Sequence, residues 1–166
     1  MRSHEVLIDG YGRIREEVHA VLDGISVSDL HARPTAEANS VAWLIWHLTR
    51  VQDDHLADAA DRDQVWRSQG WAERFDLPLP EADTGYGHSP KQVGEVRVES
   101  ADVLREYYDA VHEQTMAFLA GLDDAALDRI VDTRWDPPVS LAVRLISVLS
   151  DDLQHAGQAA YVRGLL

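Results

Sequence analysis

The chain has no cysteine. That absence excludes a disulfide framework, a thiolate metal site and a cysteine nucleophile, so any sulfur chemistry must use a sulfur brought by another molecule. Positive charge is also scarce: 15 Lys and Arg stand against 29 Asp and Glu, a net charge of −14. The acids are spread along the chain rather than gathered in a tail. A nucleic-acid backbone or an anionic membrane surface is repelled by such a protein, because binding to either needs clustered cations. No apolar run reaches 18 residues, and Asp9 interrupts the N-terminal stretch before a signal-peptide core could form. Cytoplasmic location is the expectation. No internal repeat, low-complexity tract or linker divides the sequence.

At 166 residues the chain is the size of one domain able to bury its own core, so residues 1–166 are expected to form a single unit. Four segments carry helical periodicity. In the first, about His4 to Leu22, Leu7, Tyr11, Ile14, Val18 and Leu22 recur at steps of three and four, with Gly10 and Gly12 weakening its start. The second opens at Asn39 or Ser40, both good caps, and continues through VAWLIWHLTRVQDDHLADAA. The third, about Ala101 to Leu122, follows Ser100 as a cap and ends near Gly121. The fourth begins after Asp136-Pro137-Pro138, the second proline suiting a first-turn position, and continues to Leu166.

This pattern predicts an all-α four-helix bundle. The connection from Asp61 to Ser100 is about 40 residues, long enough to cross the bundle and set the third helix parallel to the second, which gives up-down-down-up order. Long connections in compact domains are commonly functional, and this one holds Trp71, Phe75, Tyr86 and His88 among glycines and prolines.

His47 lies in the apolar run WLIWHL. Burying an imidazole there costs free energy unless its nitrogens are bonded or coordinated. In the fourth segment Asp151 and His155 are four apart and share one helix face, a spacing that lets two ligands reach one ion. Asp152, three from His155, satisfies the same geometry, and periodicity does not choose between the two acids.

The stretches ANSVAWLIWHLTRVQDDHLAD, DTGYGHSP and WDPPVSLAVRLISVLSDDLQHAGQAAYVRGLL closely resemble the DinB-like superfamily of metalloenzymes, which includes the mycothiol-dependent maleylpyruvate isomerases. The resemblance covers nearly the whole chain. It implies a four-helix bundle in up-down-down-up order, often a homodimer. It also implies a divalent metal held by one histidine of the second helix and a pair four apart in the fourth, which correspond to His47, Asp151 and His155. The resemblance thus prefers Asp151 to Asp152. Many relatives carry histidine at the position of Asp151, and the isomerase-like branch carries glutamate; the shorter carboxylate must lie closer to an ion.

Two imidazoles and a carboxylate suit zinc with an open position, and also ferrous iron, nickel or manganese. The expected activity is activation of a low-molecular-weight thiol, mycothiol-like or bacillithiol-like, for transfer or addition to an electrophile. The alternatives are a metal-binding, dimerising stress protein without turnover and a hydrolase using metal-activated water.

Around this centre, Tyr86 and His88 are candidates for a lid, with His88 as acid or base. Gln158, three residues beyond His155, is a candidate to bond a ligand, and Arg144 or Arg163 to receive a substrate carboxylate. Trp43, Trp46 and Trp135 read as core or interface aromatics. Asp54 and His55 lie about 10 to 12 Å along the helix from His47, too far to share its ion; they read as a solvated helix end or as the rim of a pocket.

Overall fold

A computed structural model describes residues 2–166. In chain order it contains α1 (Ser3–Leu22), α2 (Val27–His31), α3 (Val41–Ala59), α4 (Val65–Ser68), α5 (Trp71–Phe75), α6 (Pro90–Glu95) and α7 (Ala101–Ala120). A single 3₁₀ turn (Ala126–Asp128), two short strands β1 (Ile130–Asp132) and β2 (Val139–Ser140), and α8 (Leu141–Gly164) follow. The four long helices coincide with the four periodic segments. They pack in a closed cycle: α1 lies against α7 and α8, and α3 lies against α8 and α7.

Each long helix buries the stripe its sequence marks out. On α1, Leu7, Tyr11, Ile14, Val18 and Leu22 are buried. Gly10 does more than weaken the helix, because a Cβ there would stand 2.6 Å from Leu149 Cδ1, so the missing side chain lets α1 approach α8. α3 is buried nearly all round, as an apolar run such as WLIWHL requires. Ser40 caps it by accepting the Trp43 N–H at 3.1 Å. Ser100 precedes α7 as expected, but its side chain makes no capping bond.

The fold is mostly helical rather than purely so. β1 and β2 pair antiparallel, Ile130 opposite Ser140 and Asp132 opposite Val139. This hairpin also corrects the expected start of α8. Pro137 and Pro138 lie in the hairpin, and the helix starts later, at Leu141, where Ser140 caps it by accepting the Val143 N–H.

The 61–100 connection is largely folded, with α4, α5 and α6 inside it. Trp66, Trp71 and Phe75 surround Tyr107 of α7 at ring-centroid distances of 5.2, 5.5 and 5.6 Å. Asp53 is 1% exposed and accepts the N–H groups of Val65 and Trp66 and the Tyr107 hydroxyl at 2.8, 2.8 and 2.9 Å. Buried Arg50 donates to Gln64 Oε1 at 2.9 Å and to the Asp83 carbonyl at 3.2 Å. These bonds hold the following loop, Asp83 to His88, over the middle of α3.

Candidate metal centre

His47 is 5% exposed. Its Nδ1 lies 2.5 Å from the Thr84 carbonyl. A carbonyl only accepts, so Nδ1 carries the proton and Nε2 keeps its lone pair. Trp43 stacks on the ring at 4.5 Å and 17°. The loop can come this close because residue 85 is glycine, with φ of +90°. A Cβ at that position would lie 2.7 Å from His47 Nδ1 and 3.0 Å from Trp46 Cζ3.

His155 approaches from α8, its ring 4.8 Å from that of His47 and steeply inclined to it. Its Nδ1 donates to Gln158 Oε1 at 3.0 Å, which again leaves Nε2 free, and Nε2 is 3.6 Å from Asp151 Oδ1. Gln158 therefore orients a ring rather than touching the centre itself. One coordinating atom from each of His47, Asp151 and His155 falls within a set whose members are all within 4.8 Å of one another. Ligands about 2.1 Å from one zinc sit about 3.4 Å apart, so small side-chain rotations close this set on an ion. Asp151 Oδ2 is buried without a hydrogen-bond partner, an unsatisfied state that a cation would relieve. The donors fit a divalent metal.

The two adjacent acids have separate environments. Asp152 is fully buried and neither carboxyl oxygen has a partner. Burial, and then the neighbouring Asp151 charge, push its pKa well above the ordinary range, so it is a neutral acid. Burial pushes Asp151 up too, but the neighbouring His155, His47 and His55 imidazoles outweigh it and hold its pKa below the ordinary value. Burial pulls His47 down, keeping it neutral and able to coordinate. At His155 burial pulls down as well, yet the neighbouring Asp151 carboxylate and the bond to Gln158 prevail and raise it.

A cavity of about 500 Å³ opens beside these residues, with His47, Asp151, Val51, Val148, His55 and Arg144 in its walls. Tyr86, 91% exposed, and Trp135, 66% exposed, also border it from two different loops. Tyr86 thus stands free at the cavity mouth. His88 does not: the Trp43 indole donates to its Nδ1 at 3.0 Å, and its Nε2 donates to Asp83 Oδ2 at 2.9 Å. Both nitrogens are engaged and the side chain is 2% exposed, so His88 fastens the loop instead of standing free as an acid or base. Arg144 borders the cavity with its guanidinium committed to Asp132 Oδ2 at 2.8 Å and His55 Nδ1 at 3.2 Å. Arg163 is spent on main-chain carbonyls, among them Ala20 at 2.7 Å.

Trp43 and Trp46 are core residues, whereas Trp135 sits on the hairpin at the cavity mouth. Asp54 and His55, with side chains 40% and 38% exposed, both border the cavity, while the adjacent Asp53 is core. Sequence reasoning missed Asp132 and Gly85. The first of the two glycines in DTGYGHSP is the signal for a close backbone approach.

A family model described as the DinB superfamily matches residues 11–159. The chain is also similar to a conserved protein of Enterococcus faecalis known from a crystal structure. The two are 31% identical with a TM-score of 0.92, over 98% of this chain and 96% of that one. No curated protein matches it in sequence.

Proposed function

Because the chain belongs to the DinB superfamily, we propose that His47, Asp151 and His155 hold one divalent metal ion, and that the adjoining cavity is the active site of an enzyme acting on a low-molecular-weight thiol. The convergence of the three donor groups carries this reading. Two imidazoles and one carboxylate leave a coordination position for a ligand, as in catalytic rather than structural zinc sites. Zinc is the first candidate; nickel, ferrous iron and manganese accept the same donors. Bound there, the ion lowers the pKa of a coordinated thiol or water and so makes a nucleophile available near neutral pH.

The chain's own residues do the rest. The Thr84 carbonyl and Gln158 fix the two imidazoles with Nε2 free, the outer bonding that sets tautomer and ring orientation at metal sites. Asp151 contributes the charge. Val51 and Val148 give the cavity an apolar wall, and Tyr86 and Trp135 are placed to cover a bound molecule. The reaction is transfer of a mycothiol-like or bacillithiol-like sulfur, or its addition, to an electrophile.

The opening beside the donors favours this enzyme over a metal-binding protein without turnover, whose site would be closed by protein on every side. We read the four long helices as an up-down-down-up bundle, since the 61–100 connection is long enough to cross it. No described helix is long and apolar enough to span a membrane, and we place the protein in the cytoplasm. The exposed, uncharged stripe Val143, Ile146, Leu153 and Tyr161 on α8 supports a homodimer, because two chains of net charge −14 meet most readily where neither presents an acid.

Elemental analysis of purified wild type, His47→Ala and His155→Ala tests the centre: one metal per chain is expected in wild type and none in the variants. Metal-loaded protein is then incubated with candidate thiols and electrophiles. Conjugation lost in His47→Ala is the expected result; conjugation unchanged in that variant rejects the reading, and ester or amide cleavage without thiol points to a hydrolase instead.

A further inference from the structure

His55 lies two turns beyond His47 on α3 and shares the cavity wall with His47 and Asp151. Arg144 Nη1 is 3.2 Å from its Nδ1. A guanidinium only donates, so His55 Nδ1 presents a lone pair and the neutral ring carries its proton on Nε2. The nearest carboxylate, Asp54 Oδ2, is 3.9 Å from Nδ1, beyond hydrogen-bond reach.

Arg144 is itself fixed. Its other arm donates to Asp132 Oδ2 at 2.8 Å. Asp132 in turn receives the Arg134 main-chain N–H and guanidinium at 2.8 to 2.9 Å. The hairpin thereby orients His55 through two charge-assisted links. Among the described residues His55 Nε2 has no hydrogen-bond partner, and it is not one of the buried orphan atoms. The ring is partly exposed and borders this cavity and a second hollow beside the hairpin, so its N–H is open to a bound molecule. Burial, then the Arg144 charge, oppose a second proton on the ring.

We propose that His55 offers Nε2–H as a fixed hydrogen-bond donor to an acceptor oxygen of the ligand, and that the cavity takes a small carbonyl-type compound. Such a ligand brings an acceptor oxygen to His55 and lays its apolar flank on Val51 and Val148. This deepens the proposed function and rests on the metal centre assigned there. It gives the hairpin a role: Asp132 and Arg144 are positioning residues that act through His55.

Imidazole ¹⁵N NMR of the metal-free wild type near neutral pH tests the tautomer without reference to metal or activity. The His55 signals are expected to show a protonated Nε2 and a bare Nδ1; the opposite tautomer, or an imidazolium, overturns the proposal. Acetohydroxamate, a small carbonyl probe that coordinates metals, is then titrated into cobalt-loaded protein and followed by the visible cobalt bands. His55→Ala is expected to weaken it about tenfold, near the upper end of one hydrogen bond. His55→Gln, which keeps an N–H at similar reach, is expected to stay within about threefold of wild type, and cobalt affinity should not change in either.

Equal probe affinity in wild type and His55→Ala, with cobalt bound in both, overturns the donor role and leaves the metal centre standing. Failure of wild type to bind cobalt overturns the metal centre and this proposal with it. If His55→Ala does not fold, the wild-type tautomer and the Gln variant decide: a bare Nε2, or a Gln variant weakened tenfold or more, rejects the donor.

Discussion

Gly10 and Gly85 are both close-approach glycines, and their surroundings predict opposite costs. At Gly10 the obstacle is the tip of Leu149, a flexible side chain that can rotate away while alanine improves helix propensity. Gly10→Ala is expected to change stability by less than about 1 kcal/mol in urea unfolding. At Gly85 the backbone is left-handed and the obstacles are His47, Trp46 and Trp43. Gly85→Ala is expected to cost about 1 to 3 kcal/mol and to weaken metal binding at least tenfold in a competitive chelator titration, since the loop that fixes the His47 tautomer must withdraw.

The neighbouring acids give a pH test on metal-free protein. Asp152 is raised in the fold by burial and by Asp151, so folding at neutral pH requires it to take up a proton that the unfolded chain has released. Its contribution is fully present below the unfolded pKa near 4 and is lost as pH rises toward the folded value, by up to about 1.4 kcal/mol per pH unit. Asp152→Asn cannot ionise, so its advantage over wild type in urea midpoint should grow between mildly acidic and neutral pH. An advantage that shrinks over that range would contradict a neutral Asp152. Asp151→Asn should instead lose the metal.

Among the elements, α4 and the loop after it depend on α3 through Arg50 and Asp53. Asp53→Ala strips three hydrogen bonds at once and leaves Arg50, fully buried, without its nearest carboxylate, 3.9 Å away. Breaking one partner of a buried ion pair costs about 3 to 5 kcal/mol. Because the same anchors hold the Asp83 to His88 loop, metal affinity should fall together with the unfolding midpoint. Loss of stability with metal affinity intact would show that the loop is held from elsewhere. The long helices were legible because each has a stripe with helical period, and Ser40 was legible as a cap. The hairpin was not, since three residues pairing with two carry too little alternation to register beside two prolines. The short helices inside the 61–100 connection carry too little pattern for the same reason: four to six residues hold no period. α4 and α5 form because Trp66, Trp71 and Phe75 find Tyr107, and α6 is closed by the Ser89–Gln92 capping box.

At the scale of the molecule, Val143, Ile146, Leu153 and Tyr161 on α8 leave an exposed apolar row on a chain of net charge −14. If two copies meet there, Leu153→Lys should shift the mass measured by sedimentation equilibrium from dimer to monomer, while metal content stays at one per chain. Raising the salt concentration should strengthen wild-type association by screening like charges. A wild type that sediments as a monomer at every concentration would remove the dimer.

The family, the four long helices, the lack of any internal thiol and the pairing of Asp151 or Asp152 with His155 can all be read before folding, because each is written in local spacing, composition or motif. The resemblance selected Asp151 and added His47. Tertiary structure decided which acid stands beside the two imidazoles: neighbouring residues on a helix point about 100° apart, so Asp151 reaches His47 on α3 while Asp152 is sealed in the core. It also decided that His88 fastens a loop and that His55 faces the cavity. The face a side chain occupies follows from its place in the helix, but what waits on that face is set by segments far away in the chain.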